Sequence, residues 1–231
     1  MKMSKPIILS VTAHPDDEAL GFGATAAKYS ADGYQIYNCM LAGEVDARRD
    51  RPTVNVLRQQ TIIAQKIMGC QPPILGDFPN IKFNTVPHLE LVQFIESVIE
   101  KLKPTYIFTH HPNDLNNDHY HTSKACQAAA RLCQRKTTTK LKGLYFMEVL
   151  SSTDWAFPTE NSSFQANTFF EIGKTYLEIK IRAIESYKGV MRAFPHPRSR
   201  EVIKSLAAYR GGQSGMIYAE AFQTAYQALS I

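Results

Sequence analysis

The stretch VTAHPDDEALGFG, Val11 to Gly23, governs how the rest of the chain is read. The run Ile7-Ile8-Leu9-Ser10-Val11 has the length and apolar character of a buried strand. It passes directly into a histidine, a proline and three consecutive acids, Asp16, Asp17 and Glu18. That much like charge at the rim of a core needs something positive beside it. A helix N-terminus is one source, since acids there favour the macrodipole and cap the first turn. A divalent metal is another: one carboxylate ligates while its neighbour holds the proton of an attacking water. The helix reading accounts for the acids but not for His14 in front of them.

Outward from this point, short apolar runs alternate with longer helical patterns. Ala19 to Ala31 reads as a helix stopped by Gly33, and Tyr34 to Leu41 as a strand. Val54 to Met68 is a helix with Gly69 past its end, followed by a brief strand at Ile74-Leu75. Val86 to Leu102 has helical apolar spacing and stops before Pro104. Tyr106 to Thr109 is a strand, Ser123 to Gln134 a helix, and Leu144 to Leu150 a further strand. From Thr175 onward the chain reads as helical, broken at Arg192 to Ser199. This alternation predicts an α/β fold: a Rossmann-like, mostly parallel, doubly wound sheet with helices on both faces and a helical C-terminal extension. The polar stretch from Ser151 to Asn167 carries Trp155, Phe157 and Phe164. It reads as a lid, a sugar-stacking wall, or a surface loop pinned by its own aromatics.

In an open parallel sheet, ligands bind where strands end. A second strand end stands out beside the first: THHPNDLNNDHYHT, Thr109 to Thr122, holds four of the seven histidines. Histidine and carboxylate gathered at two strand ends suit a metal site with mixed nitrogen and oxygen donors. With both clusters in view, metal binding is the better account of the acids. Gly21-Phe22-Gly23-Ala24-Thr25-Ala26 fits a dinucleotide fingerprint, with Glu44 about 20 residues on. Such glycines belong in the turn right after the strand, however, and here they fall inside the predicted helix.

A length of 231 residues suits one domain, residues 1–231, with a full-sized core. The net charge of +5 is spread along the chain without Lys/Arg blocks, which argues against a nucleic-acid partner and leaves a solvated basic surface or an acidic small molecule. The apolar N-terminal run is interrupted by Ser10 and Thr12, a poor signal peptide. No segment nears the ~20 apolar residues of a membrane span. Cys39, Cys70, Cys126 and Cys133 form no C-x-x-C pair and read as reduced thiols of a cytoplasmic protein.

AHPDDEALGFGAT together with HHPNDLNNDHYHT resembles the LmbE-like, or PIG-L-like, zinc-dependent N-deacetylases, and the resemblance extends over almost the whole chain. It implies one Zn2+ per subunit on His14, Asp17 and His119, with Asp16 as general base for a zinc-activated water attacking an acetamide. The implied substrate is a small-molecule N-acetylated amino sugar or glycoconjugate precursor. A zinc amidase acting on a larger thiol-sugar conjugate and a catalytically weak metal-binding homologue are the alternatives. Iron or cobalt also suits these donors, and a homo-oligomer is left open.

The chain departs from the family pattern at Asn116, where many relatives have a histidine that helps hold the oxyanion. Asparagine donates a hydrogen bond but carries no charge. His196 in FPHPRS, with Arg198 beside it, is the first candidate to supply that charge. A histidine held rigid between Pro195 and Pro197 for local structure is the competing account. Glu44 and Arg58 occupy positions where relatives contact substrate, and Trp155 is a candidate stacking residue. His110 and His111 are expected to support the ligands from behind.

Overall fold

The structure is a computed structural model that describes residues 6–44, 52–135, 141–158 and 163–229, with the side chains of 132–134 excepted. Among the described residues, seven strands and six α-helices follow the expected alternation. They are β1 (Ile7–Thr12), α1 (Asp17–Ala31), β2 (Gln35–Met40), α2 (Val54–Met68), β3 (Ile74–Leu75), α3 (His88–Leu102), β4 (Tyr106–His110) and α4 (Asn117–Arg135). β5 (Gly143–Met147), β6 (Thr168–Glu171), α5 (Gly173–Glu185), α6 (Arg200–Ser214) and β7 (Ala219–Gln227) complete the order. α2 shows how local signals set these limits. Thr53 accepts a hydrogen bond from the Val56 N–H at the start, and Gly69 closes the end at φ 71°.

The strands form one sheet in the order β3-β2-β1-β4-β5-β7-β6. β3, β2, β1, β4 and β5 are parallel, while β7 runs antiparallel to both β5 and β6. From β1 the chain steps outward to β2 and β3, then returns to lay β4 on the other side of β1. The order therefore reverses between β1 and β4, and the crevice beyond their C-terminal ends is the place where an open α/β sheet takes its ligand.

Alternation along the strands divides the core in two. Ile8, Phe108 and Phe222 point to the layer packed by α1, α2 and α5. Leu9, Val11 and Ile107 point to the layer of α3 and α4. α1 lies so close to β5 that a Cβ on Gly21 would meet Val149 Cγ2 at 2.9 Å and Met147 Cβ at 3.0 Å. Gly21 is thus a packing glycine within a helix, as its position behind the acidic turn implied.

Two expectations need correction. The C-terminal region is helical through α5 and α6 and broken between them, but it ends in a strand, β7, which lies between β5 and β6. Asn117, not Ser123, starts α4, so Asp118 and His119 stand in its first turn. Cys39 and Cys126 are buried and Cys70 is partly buried, and none of the three is in a disulfide; the Cys133 side chain lies outside the described residues.

Candidate metal centre and active site

The acidic motif forms the turn from β1 into α1. Asp16 occupies the N-cap position with φ 104° and ψ −29°, and its side chain makes no capping hydrogen bond. The helix-cap reading therefore leaves this carboxylate unexplained. A non-glycine residue in this region costs about 1–3 kcal/mol and persists where the surroundings hold it. Asp17 turns back instead, its Oδ2 accepting the His14 N–H at 2.9 Å.

Three imidazoles converge on that oxygen, among them His110, whose Nε2 lies 3.5 Å away. His14 Nδ1 lies 3.4 Å away and His119 Nε2 3.2 Å away, and all three residues are buried. His14, Asp17 and His119 each offer a donor atom within 4.8 Å of the others. The opposite nitrogen of each ring is occupied by a carboxylate. His14 Nε2 meets Asp118 Oδ2 at 2.9 Å, and His119 Nδ1 meets Asp114 Oδ1 at 3.1 Å. Asp118 is itself held by the Phe83 N–H at 3.0 Å, and Asp114 by the Ser152 and Thr153 hydroxyls at 3.0 and 2.7 Å. Both imidazoles are thus oriented from behind and turn their remaining nitrogen toward Asp17, the arrangement that fixes tautomer and direction in metal-ligating histidines. Two imidazoles and one carboxylate fit a zinc-type cation and leave a coordination position for a reactant.

The electrostatics match a cation hole. Burial disfavours charge on His119, but Asp17 and Asp114 outweigh it and push its pKa up to about 10. His14 is raised too: burial opposes the charged form, while Asp118 and then Asp17 favour it. Asp17 stays well below the usual carboxylate range although buried, because His119 and the other histidines face it. Protons on the histidines thus do in this pocket what a cation would do.

A second group, His110, Asp114 and His119, also has donor atoms near one another. His110 Nε2 accepts the Ala13 N–H at 2.9 Å, and its ring stacks on His119 at 3.8 Å between centroids. Burial, then the His119 charge, lowers its pKa to about 4. This neutral ring forms the floor under His119. His111 lies farther out, with Nδ1 accepting the Asn113 N–H.

Asn116 is placed as the N-cap of α4, its Oδ1 accepting the Asp118 N–H at 2.9 Å. His196 accepts the Arg198 N–H on Nδ1, and its ring meets Trp155 edge-on at 5.3 Å. Its pKa is lowered by burial and then by the charges of Arg198 and Arg192. Arg198, by contrast, anchors Nε on the Leu150 carbonyl at 3.0 Å and brings Nη1 to 4.0 Å from Asp16 Oδ2. Glu44 and Arg58 come together as lining of an open cleft of about 600 Å³ beyond β2 and β3. Trp155 is 48% exposed on the loop that follows Ser152, so its indole is accessible from solvent; residues 159–162 of that loop lie outside the described residues.

Sequence reasoning missed Asp114 and Asp118, though both lie in the motif that supplies His119; carboxylates flanking a ligand were the available signal. Ser152 and Thr153 carry no local signal, because they reach Asp114 from 38 and 39 residues away.

The family profile described as "PIG-L: GlcNAc-PI de-N-acetylase" matches residues 9–130. The Escherichia coli K12 protein named "Uncharacterized deacetylase YaiS" is 26% identical over 192 residues, covering 78% of this chain and 90% of its own. The 4-carboxy-2-hydroxymuconate hydratase GalB of Pseudomonas putida KT2440 superposes with TM-score 0.78 at 18% identity, over 98% of this chain and 99% of that one. The N,N'-diacetylchitobiose deacetylase of Pyrococcus horikoshii superposes with TM-score 0.76 at 15% identity, over 95% and 83%. At such identities the solved structures establish the fold alone, and a fold shared by a hydratase and a deacetylase does not choose the reaction. Among the described residues, no helix is long and apolar enough to cross a membrane.

Proposed function

The chain belongs to the PIG-L family of GlcNAc-PI de-N-acetylases, and on that premise we propose that it is a zinc-dependent hydrolase removing an N-acetyl group from an amino sugar or glycoconjugate precursor. The observation that carries this reading is the pair of histidines, each backed by its own carboxylate, facing Asp17. His14, Asp17 and His119 would hold one divalent cation per subunit, which would supply Lewis acidity for amide hydrolysis.

The remaining chemistry falls to the chain's own side chains. Asp16 adjoins ligand Asp17 and stands beside Arg198, and its carboxylate serves as general base. It takes a proton from the attacking water and returns it to the leaving amine. Arg198, 4.0 Å from Asp16, brings fixed positive charge to the same corner, and Asn116 Nδ2 adds a neutral donor for the developing oxyanion. Asp114 and Asp118 hold the ligand rings. Glu44 and Arg58 supply polar contacts for sugar hydroxyls in the cleft, and Trp155 offers an aromatic face for stacking.

The test is acetate release by the zinc-reconstituted chain across a panel of N-acetyl sugars, nucleotide sugars and glycoconjugates. Turnover of at least one member, abolished by chelation and restored by zinc, is expected. A fully metallated chain that releases acetate from none of them sinks the reading.

A further inference from the structure

One acid of the motif takes no part in the chemistry above. Glu18 is fully buried, and its carboxylate sits in a polar network. Its Oε2 accepts the Asp16 N–H at 3.0 Å. Its Oε1 accepts the Tyr187 hydroxyl at 2.7 Å and the Gln65 side-chain amide at 3.1 Å. The amide of Gln65 cannot turn round at will, because its Oε1 accepts from Asn38 Nδ2, and Asn38 Oδ1 accepts in turn from the Ser10 hydroxyl. The donors therefore run one way, from β1 through β2 and α2 to the Glu18 carboxylate, with Tyr187 arriving independently from beyond α5. A buried carboxylate is tolerated where donors satisfy it, and this one is supplied by three elements.

The place where this network ends is informative. Asp16 is the residue in the left-handed region, φ 104°, and a backbone in that state needs to be held. Glu18 holds it by the one backbone group, the N–H, whose direction is set by that φ.

We propose that Glu18, fixed by Tyr187 and Gln65, is a positioning residue that locks the Asp16 backbone and so aims the Asp16 carboxylate at the reacting water. This inference rests on the reading of Asp16 as the general base. General acid–base catalysis depends on the base lying within hydrogen-bond reach of its proton, and a displacement of about 1 Å costs up to ~10²-fold in rate. Breaking a network that served only to join α1, α2 and the segment beyond α5 would lower thermal stability and leave turnover alone.

The experiment uses Tyr187→Phe, which removes one hydroxyl and keeps the ring, and Glu18→Gln, each in the full chain. Five quantities are measured: zinc content, kcat and KM on the best substrate of the acetate-release panel, thermal midpoint, and the amide resonance of Asp16 by NMR in the metal-free chain. The expected result is a kcat lowered about tenfold for Tyr187→Phe and about 10- to 100-fold for Glu18→Gln. KM and zinc content stay near the parent's, and the Asp16 amide proton, held downfield by its carboxylate acceptor, moves upfield in Glu18→Gln. Should Glu18→Gln fail to fold, Tyr187→Phe alone decides, by its kcat. A lowered midpoint with unchanged kcat, or zinc lost in proportion to activity, overturns the proposal. A parent chain with no turnover on the panel counts against the hydrolase reading, whereas an unmoved Asp16 amide counts against the Glu18 contact.

Discussion

Arg198 Nη1 stands 4.0 Å from Asp16 Oδ2, with the same guanidinium tied through Nε to the Leu150 carbonyl. A cation beside the acid of the first motif therefore comes from the turn before α6, two residues beyond His196.

That geometry ranks two variants. Arg198→Ala should lower kcat by about 10²–10³-fold, the scale for loss of a donor to developing charge. His196→Ala, with its ring against Trp155 and its Nδ1 bound to the Arg198 N–H, should cost less than about tenfold and act mainly on KM. Steady-state kinetics with zinc measured in each variant checks the order, and a His196 variant worse than the Arg198 one reverses the assignment.

Asp16 separates metal binding from chemistry. Asp16→Asn keeps the shape but accepts no proton, so zinc content should hold while turnover falls by roughly 10²–10⁴-fold. Near-normal activity would show that another group is the base.

The carboxylates behind the ligand histidines should set metal affinity. His119→Ala should abolish stoichiometric zinc, whereas Asp118→Ala and Asp114→Asn should weaken binding by about 10–100-fold without removing a ligand. Competition against a chromophoric chelator reads this directly, and wild-type affinity in both Asp variants refutes it.

Metal uptake should release protons. In the metal-free chain His119 titrates near 10 against an ordinary 6.5, and His14 is also raised. A raised histidine stabilises the fold fully below its unfolded pKa, and that contribution fades as pH rises through the folded value. The metal-free chain should therefore lose stability toward about pH 10. Asp114, lowered to about 2 from 3.8 because His119 overrides its burial, sets the acid limit: its contribution is present above 3.8 and fades as pH falls through about 2. Zinc competes with the histidine protons, so its affinity should rise with pH, with close to two protons released per ion at about pH 6. Calorimetry in buffers of different ionisation enthalpy counts them; zero release contradicts the assignment.

A stability prediction follows from β7. Glu220 is buried there, pairs with Lys180 at 2.7 Å, and accepts the Ala24 and Thr25 N–H groups of α1 at 3.1 and 2.7 Å. Lys180→Met strands that carboxylate and should cost about 3–5 kcal/mol, readable as a fall in denaturation midpoint. A loss under ~1 kcal/mol would mean that the α1 N–H groups suffice.

The same strand shows where local reading stops. AEAFQTAYQ is rich in residues that favour helices, and its buried half, Ala219 to Phe222, has both faces covered, so no period-2 pattern announces it. It is a strand because β5 and β6 leave a place for it, and because Lys180 and α1 satisfy the acid it buries.

For α2 and β3, whose caps and apolar spacing are local, the limits were legible residue for residue. So were the two motifs and their places at strand ends, since strand length, helix periodicity and donor type are written within a dozen residues. Tertiary structure alone decided that β1 and β4 are neighbours, because the reversal of strand order depends on where the third strand lies and how the chain returns from it. That adjacency carries His119 to within 3.2 Å of Asp17 and brings Asp118 behind the His14 ring, while the packing of the turn before α6 brings Arg198 to Asp16. Contacts between residues a hundred or more positions apart depend on the packing of whole elements, which no short stretch encodes by itself.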